Sequence, residues 1–251
     1  MNFSKQEFDE IMGSARFARY INTNLHMHTP ATPWDWDGYT NQTKPAHTIQ
    51  PSDYFEALNK TSLELVAITD HNTVMWCKEL IDLAKKKKKA NQSKLHILPG
   101  VEITSYEGPH IIAIFDEDAN VEEINDMLIR LGMSGKGLKE ERVSYKTKEN
   151  LTIKDIFTQV SELNGLIIAP HVQSKDGIWG SKEFTGRTDI LNDERLRILA
   201  APAGWVKRVE EEKRVRLLFS TMDNTVVSNS FAFINISDCH RVDDFELNTT
   251  W

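Results

Sequence analysis

The sequence predicts an α/β barrel built from parallel β/α units, and three observations predict it. Apolar runs of strand length recur along the whole chain, with helical patterns between most of them. Histidines and acidic residues stand at the ends of those runs, where the strands of a parallel barrel converge on one face. No glycine-rich phosphate loop follows the first run, which argues against an open nucleotide-binding sheet.

The elements follow in order. Residues 1–20 read as a polar, mildly amphipathic helix carrying Phe3, Phe8, Ile11 and Met12, ahead of a barrel spanning residues 21–251. Strands are expected at 21–25, 63–69, 96–103, 110–115, 166–169, 198–200 and 231–236. Helical patterns fill 51–59, 74–90, 121–131, 152–163 and 205–219. Pro51 with Ser52 and Asp53 forms a helix start, and so does Thr152 before Ile153. The lysine-rich stretch 132–150 is expected as an exposed loop. A second irregular stretch, 173–192, contains Gly177, Gly180 and Gly186 and is placed to cover whatever His171 serves. The chain stops eleven residues after His240 with no helix to follow the last strand, and is therefore expected to be a fragment of a longer protein.

Composition narrows the class. With 251 residues, 40% hydrophobic and 27% charged, the chain has the make-up of a soluble globular protein. No stretch approaches a membrane span and the N-terminus lacks an apolar signal region, so no membrane partner is expected. Two cysteines, Cys77 and Cys239, argue against a disulfide framework and for a cytoplasmic location. A net charge of −7 argues against an overall basic nucleic-acid binder, although divalent cations would make a pocket positive whatever the total. The basic stretches 85–89, 136–148 and 207–216 read as solvated helix faces, and the five-lysine run suits a helix C-terminus.

The chemistry lies in the histidines. Six of the eight stand at the ends of apolar runs: His26 and His28 in Asn24-Leu25-His26-Met27-His28, His71 after Asp70, His110 before Ile111-Ile112, His171 after Pro170, and His240 after Asp238-Cys239. Glu102 joins them in Gly100-Val101-Glu102. Imidazole and carboxylate are the ligands of catalytic divalent-metal sites. Residues i and i+2 of a strand face one side, so His26 with His28, and Asp238 with His240, can each grip one ion. Glu102 can bridge two ions, and Asp70 can orient a neighbouring ligand. Each pair alone is weak evidence. In register with successive strands they are hard to explain by packing, because buried imidazoles and carboxylates need partners.

This order of motifs resembles the PHP (polymerase and histidinol phosphatase) family, and the resemblance covers residues 24–244. It implies a distorted (β/α)7 TIM-like barrel with two or three divalent ions (Zn, Mn or Fe) at the C-terminal ends of the strands, hydrolysing phosphoesters. Carried over by motif, His26, His28, Glu102 and Asp238 would hold one ion, and Glu102, His110 and His171 a second. His71, His240 and Asp35 would hold a third, with Asp37 close enough to Asp35 to compete for that place. The run Thr29-Pro30-Ala31-Thr32-Pro33-Trp34-Asp35-Trp36, with Asp70-His71-Asn72-Thr73 and the tail Asn248-Thr249-Thr250-Trp251, is more similar to the N-terminal PHP domain of TrlF- and Ppl-type AAA-like ATPases, some of which serve in antiphage defence. That likeness implies an ATPase module in the same longer chain and leaves homo-oligomerisation open.

Other residues have plainer readings. Cys239, between two ligands, is expected to be an inert buried thiol. His96 is expected as a satisfied histidine in the core or just behind the ligands, and His47 as solvent-facing. Lys175, Lys182 and Arg187 are the candidates for phosphate contacts, against the commoner fate of solvated loop charges. Trp34, Trp36 and Trp179 either stack on a base at the rim or pack in the core.

The expected reaction is in-line hydrolysis of a phosphoester, with His171, His240 and Glu102 nearest the reacting atoms and either histidine suited to protonate the leaving group. Three functions compete: a nuclease or phosphodiesterase working on DNA or RNA with an ATPase, a monoesterase of a small metabolite, and an inactive, metal-stabilised assembly domain. A complete ligand set disfavours the last.

Overall fold

The structure is a computed structural model, and it describes residues 21–32, 48–133, 146–202, 231–236 and 238–245. Seven strands form one sheet in chain order: β1 (Thr23–Met27), β2 (Leu65–Ile68), β3 (His96–Thr104), β4 (His110–Ile114), β5 (Leu166–Ala169), β6 (Ile198–Ala200) and β7 (Ala232–Ile234). The helices are α1 (Pro51–Leu58), α2 (Cys77–Lys89), α3 (Val121–Arg130), α4 (Ile153–Glu162) and the short α5 (Arg187–Leu191). The expected helices at 1–20 and 205–219, and most of the loop at 132–150, lie outside the described residues.

The sheet is mixed, which corrects the expectation of parallel units throughout. β4 runs antiparallel to both β3 and β5, whereas β1–β2, β2–β3, β5–β6 and β6–β7 are parallel. The cause is the connection between Thr104 and His110. It is far too short for a crossover helix, so the chain can only reverse. Ser105 closes that turn through its own amide and hydroxyl, both donating to the Pro109 carbonyl at 3.2 and 2.6 Å.

The curved sheet separates two apolar layers. Its inner face carries Ala67, Ile112, Ile114, Ile168 and Ala200, with Leu25, Leu98, Ile198, Ile234 and Ile236 packed against them. The larger core lies between sheet and helices. α2 buries Cys77, Leu80, Ile81 and Ala84, and α4 buries Ile153, Ile156, Phe157 and Val160, both with the i, i+3, i+4, i+7 spacing of a one-sided helix. Helix starts are fixed locally. Thr152 and Asp155 form a reciprocal capping box on α4, and the Asn120 side chain accepts from the Glu122 amide on α3.

The two sheet edges also meet. An isolated parallel bridge joins Met27 to Cys239, with the His28 amide donating to the Cys239 carbonyl (2.9 Å) and the Cys239 amide to that of His26 (3.1 Å). The result is a barrel-like α/β fold in which the segment after β7 lies against β1. None of the helices among the described residues is long and apolar enough to cross a membrane.

Candidate metal centre

Strand alternation alone would not put His26 and His28 where they are. Asn24 pairs with Val66 and Met27 with Ile68, so β1 spends three residues against two of β2. This bulge changes the parity of the strand: Leu25 faces the inner layer, but Met27 belongs to the outer core. His26 and His28 are thereby turned toward the inner side, and both are fully buried. The Asn24 side chain braces the bulge by accepting from the His26 amide (3.2 Å), and Tyr54 Oη donates to the His28 carbonyl (3.1 Å).

Glu102 is the hub. It follows Leu98 and Gly100 on the inner face of β3 and is 1% exposed. Its Oε2 lies 2.9 Å from His26 Nε2, 3.3 Å from His28 Nε2 and 3.4 Å from His71 Nδ1. Its Oε1 lies 2.9 Å from His110 Nδ1 and 3.0 Å from His171 Nε2. Asp238 Oδ1 completes the other side, 3.4 Å from His26, 3.3 Å from His28 and 3.0 Å from His240. The rings of His28 and His240 stack at 4.3 Å and 6°.

Three of the five left-handed non-glycine residues among the described residues lie here. Counting from Ile168, alternation would send His171 to the outer face. A φ of 29° at His171 breaks the extended run instead. Asp238 has φ 50° and Asn72, next to His71, φ 56°. Such positions cost about 1–3 kcal/mol each in non-glycine residues and concentrate at functional sites. Asn72 is held by the Thr104 amide, which donates to its side-chain oxygen at 2.9 Å.

Electrostatics keep the carboxylates of the centre ionised. Burial alone would raise the Glu102 carboxyl, but His71, His26 and the hydrogen bonds from His110 and His171 hold it well below the usual range. For His26 burial dominates and keeps the ring neutral, the form that ligates. His28 also suffers burial, yet its hydrogen bonds to Asp238 and Glu102 raise it to about 9. Desolvation opposes ionisation of Asp238, and His26, His240 and His28 overcome it, leaving its pKa well below the ordinary carboxylate value. A buried carboxylate ringed by imidazoles is the donor chemistry of a divalent-cation site.

Two sets of ligand atoms each lie within 4.8 Å of one another: His26, His28, Glu102 and Asp238, and His71, Glu102 and His110. The first is the set expected from sequence. The second groups His71 with Glu102 and His110, where the sequence reading grouped His71 with His240, and His171 joins it through Glu102 Oε1. Asp35, Asp37, His47, Trp34 and Trp36 lie outside the described residues.

The remaining candidates are placed as follows. Lys175 and Lys182 are exposed in the loop after β5, whereas the Arg187 guanidinium donates to the Ile178 and Ser181 carbonyls and closes that loop. Trp179 packs against the core. His96 corrects its expectation: as the first residue of β3 it is 47% exposed and pairs with Glu117 at 2.9 Å. It stands roughly 20 Å along the strand from Glu102. The lysine run at the end of α2 lies at that same far end, where Lys88 meets His96.

Among the described residues, the Asp70 side chain hydrogen-bonds to the loop after His28 and not to a ligand ring. It accepts from the Thr29 amide (2.6 Å), the Thr29 hydroxyl (2.7 Å) and the Thr32 hydroxyl (3.2 Å), and so fixes the loop leaving His28. Sequence reasoning missed Asn24, Tyr54 and Ser174, since one amide or hydroxyl near a ligand carries no pattern of its own.

The fold and site define an α/β barrel-like protein with a histidine-carboxylate centre at its strand ends. No family model matches the chain. The chain belongs to the same family as an uncharacterized protein of Streptococcus pneumoniae serotype 4, with which it is 38% identical over 241 residues, covering 78% of this chain and 89% of the relative. Among solved structures it resembles the lesion-specific endonuclease Q of Pyrococcus furiosus (TM-score 0.55, 16% identity, 89% of this chain). The match covers 49% of that endonuclease, so the chain spans about half its length. An amidohydrolase of Chromobacterium violaceum is also similar (TM-score 0.50, 14% identity, 92% and 91% of the two chains). These likenesses are consistent with a PHP-like fold.

Proposed function

We propose that this protein is a divalent-metal-dependent phosphoesterase that cleaves phosphodiester bonds of DNA or RNA. The observation that carries the reading is Glu102, buried and shared by five imidazoles from four different parts of the sheet. His26, His28, Glu102 and Asp238 would hold one ion, and Glu102, His71, His110 and His171 another. Bound divalent ions supply Lewis acidity toward phosphoryl oxygens and make water a nucleophile near neutral pH.

The chain's own groups do the rest. Glu102 joins the two halves: its Oε2 meets His26, His28 and His71, and its Oε1 meets His110 and His171. Asp238 orients His240, which is 22% exposed and stands where a leaving oxygen could take its proton. The similarity in fold to endonuclease Q favours a nucleic-acid substrate over a small monoester. An ATPase module in the same longer chain and a role in antiphage defence extend the same proposal. They rest on the resemblance of the Thr29–Trp36 and Asp70–Thr73 segments, and an assay of ATP hydrolysis by the full-length protein tests the module.

The deciding assay incubates protein of known metal content with mono- and diester model substrates and with single-stranded and duplex nucleic acid. Diester and nucleic-acid cleavage is expected, lost together with metal in His26→Ala and Asp238→Ala and retained in His96→Ala. Hydrolysis of monoesters alone replaces the diesterase reading with a monoesterase. Full activity in a metal-free His26→Ala protein overturns both.

A further inference from the structure

We propose that Ser174 is a positioning residue that sets the tautomer of His171 and so builds the half of the centre on Glu102 Oε1. The inference rests on the cation-binding reading of the centre. Ser174 Oγ lies 2.9 Å from His171 Nδ1, on the side of the ring opposite the Nε2 that meets Glu102 Oε1. The Asp176 amide donates to the same Oγ at 3.2 Å. A hydroxyl oxygen has two lone pairs, so with one engaged by Asp176 the other can accept an Nδ1 proton when a cation takes the place of the Nε2 proton that otherwise faces Glu102. In that cation-loaded state the lone pair of His171 lies on Nε2, facing the centre. Ligating histidines are held this way, by an acceptor for the ring proton they keep.

The hydroxyl is not a loose contact. The Ser174 amide donates to the His171 carbonyl at 2.8 Å and the Gly177 amide to the Ser174 carbonyl at 3.1 Å, which folds residues 171–177 into a tight knot. A side chain at Gly177 would strike the His171 and Val172 carbonyls, and one at Gly180 those of Gln173 and Ser174. The knot also reaches the second imidazole on Oε1, because the His110 amide donates to the Asp176 carbonyl at 2.8 Å. One loop therefore places both His110 and His171. The His26, His28 and Asp238 half depends on β1 and the segment after β7 instead.

The consequence is a selective defect. In a calorimetric titration of chelator-treated full-length protein with Mn²⁺ or Zn²⁺, Ser174→Ala is expected to weaken one class of site about 10–100-fold. The other class should be unchanged, and so should the far-ultraviolet circular dichroism. Ser174→Thr, which restores the hydroxyl, should bind as the wild type does. Long-range ¹H–¹⁵N correlations of the zinc-loaded wild type should show the His171 proton on Nδ1. Equal affinity of Ser174→Ala at every site, a proton on Nε2 in the loaded protein, or failure of Ser174→Thr to rescue would overturn the assignment. A wild type that binds no cation overturns it together with the metal reading. The titration decides Ser174 whether or not turnover is found, so a cation-binding protein without phosphoesterase activity counts against the proposed function alone.

Discussion

Asn24 and Phe245 stand 221 residues apart, yet the Asn24 side chain donates to the Phe245 carbonyl at 3.0 Å inside the core. The same asparagine braces the β1 bulge through the His26 amide. Phe245 is 1% exposed, and its ring meets Tyr54 edge-on at 5.1 Å. Tyr54 in turn holds the His28 carbonyl. The strand that delivers His26 and His28 and the segment that delivers Asp238 and His240 are thus fastened to each other behind the ligands.

Phe245→Ala is therefore expected to do two things. It should destabilise the fold by about 3–5 kcal/mol, as removal of a buried aromatic ring does, which urea unfolding measures. It should also release metal more readily, because Asp238 and His240 lose the anchor that follows them. Elemental analysis after dialysis checks this. A variant destabilised by that amount with metal retention unchanged would show that the Met27–Cys239 bridge suffices to hold the segment.

Metal removal is expected to lower thermal stability reversibly. The native centre binds cations that an unfolded chain with scattered histidines cannot gather, so stability rises with free metal. The gain is about 2.7 kcal/mol at a hundred times the dissociation constant. Melting curves before and after chelation, and after returning Mn²⁺ or Zn²⁺, measure it. The same melting temperature throughout contradicts the metal-centre reading directly.

The two thiols give a pH prediction. Burial pushes both Cys77 and Cys239 up to about 12, from 9.0. The folded thiols hold their protons while unfolded ones lose them, so this contribution to stability is fully present below pH 9. It is lost as pH rises toward 12, by about 1.4 kcal/mol per thiol per pH unit. Alkylation by iodoacetamide needs the thiolate and should be about 10³-fold slower than for a free thiol. Rapid labelling of the native protein at pH 8 would contradict this. Labelling only after unfolding would bear it out.

Much of this molecule is written locally. The apolar runs mark the seven strands. Thr152 with Asp155 marks the start of α4, and the spacing of Leu80, Ile81 and Ala84 marks the buried face of α2. These signals are legible because they depend on neighbours within one or two turns of chain. The candidate ligands His26, His28, His71, Glu102, His110, His171, Asp238 and His240 are legible for another reason: such residues at successive strand ends have no bland use in a core.

The tertiary structure decided the rest. The short stretch from Thr104 to His110 already implies that β4 reverses against β3, but only the structure shows that β5 pairs with β4 antiparallel as well. Nor does the sequence state that a bulge turns His26 and His28 inward against the strand period, or that His171 reaches Glu102 through a left-handed backbone. His96 shows the limit in the other direction. Its apolar neighbours imply burial, but its place at the first position of β3 leaves it in solvent beside Glu117. Sequence alone determined which side chains are available as candidate ligands, because side-chain type is a local fact. Which oxygen of Glu102 each imidazole meets, and which distant groups such as Asn24, Tyr54, Phe245 and Ser174 hold them there, depends on contacts that exist only once the sheet has curved and its edges have met.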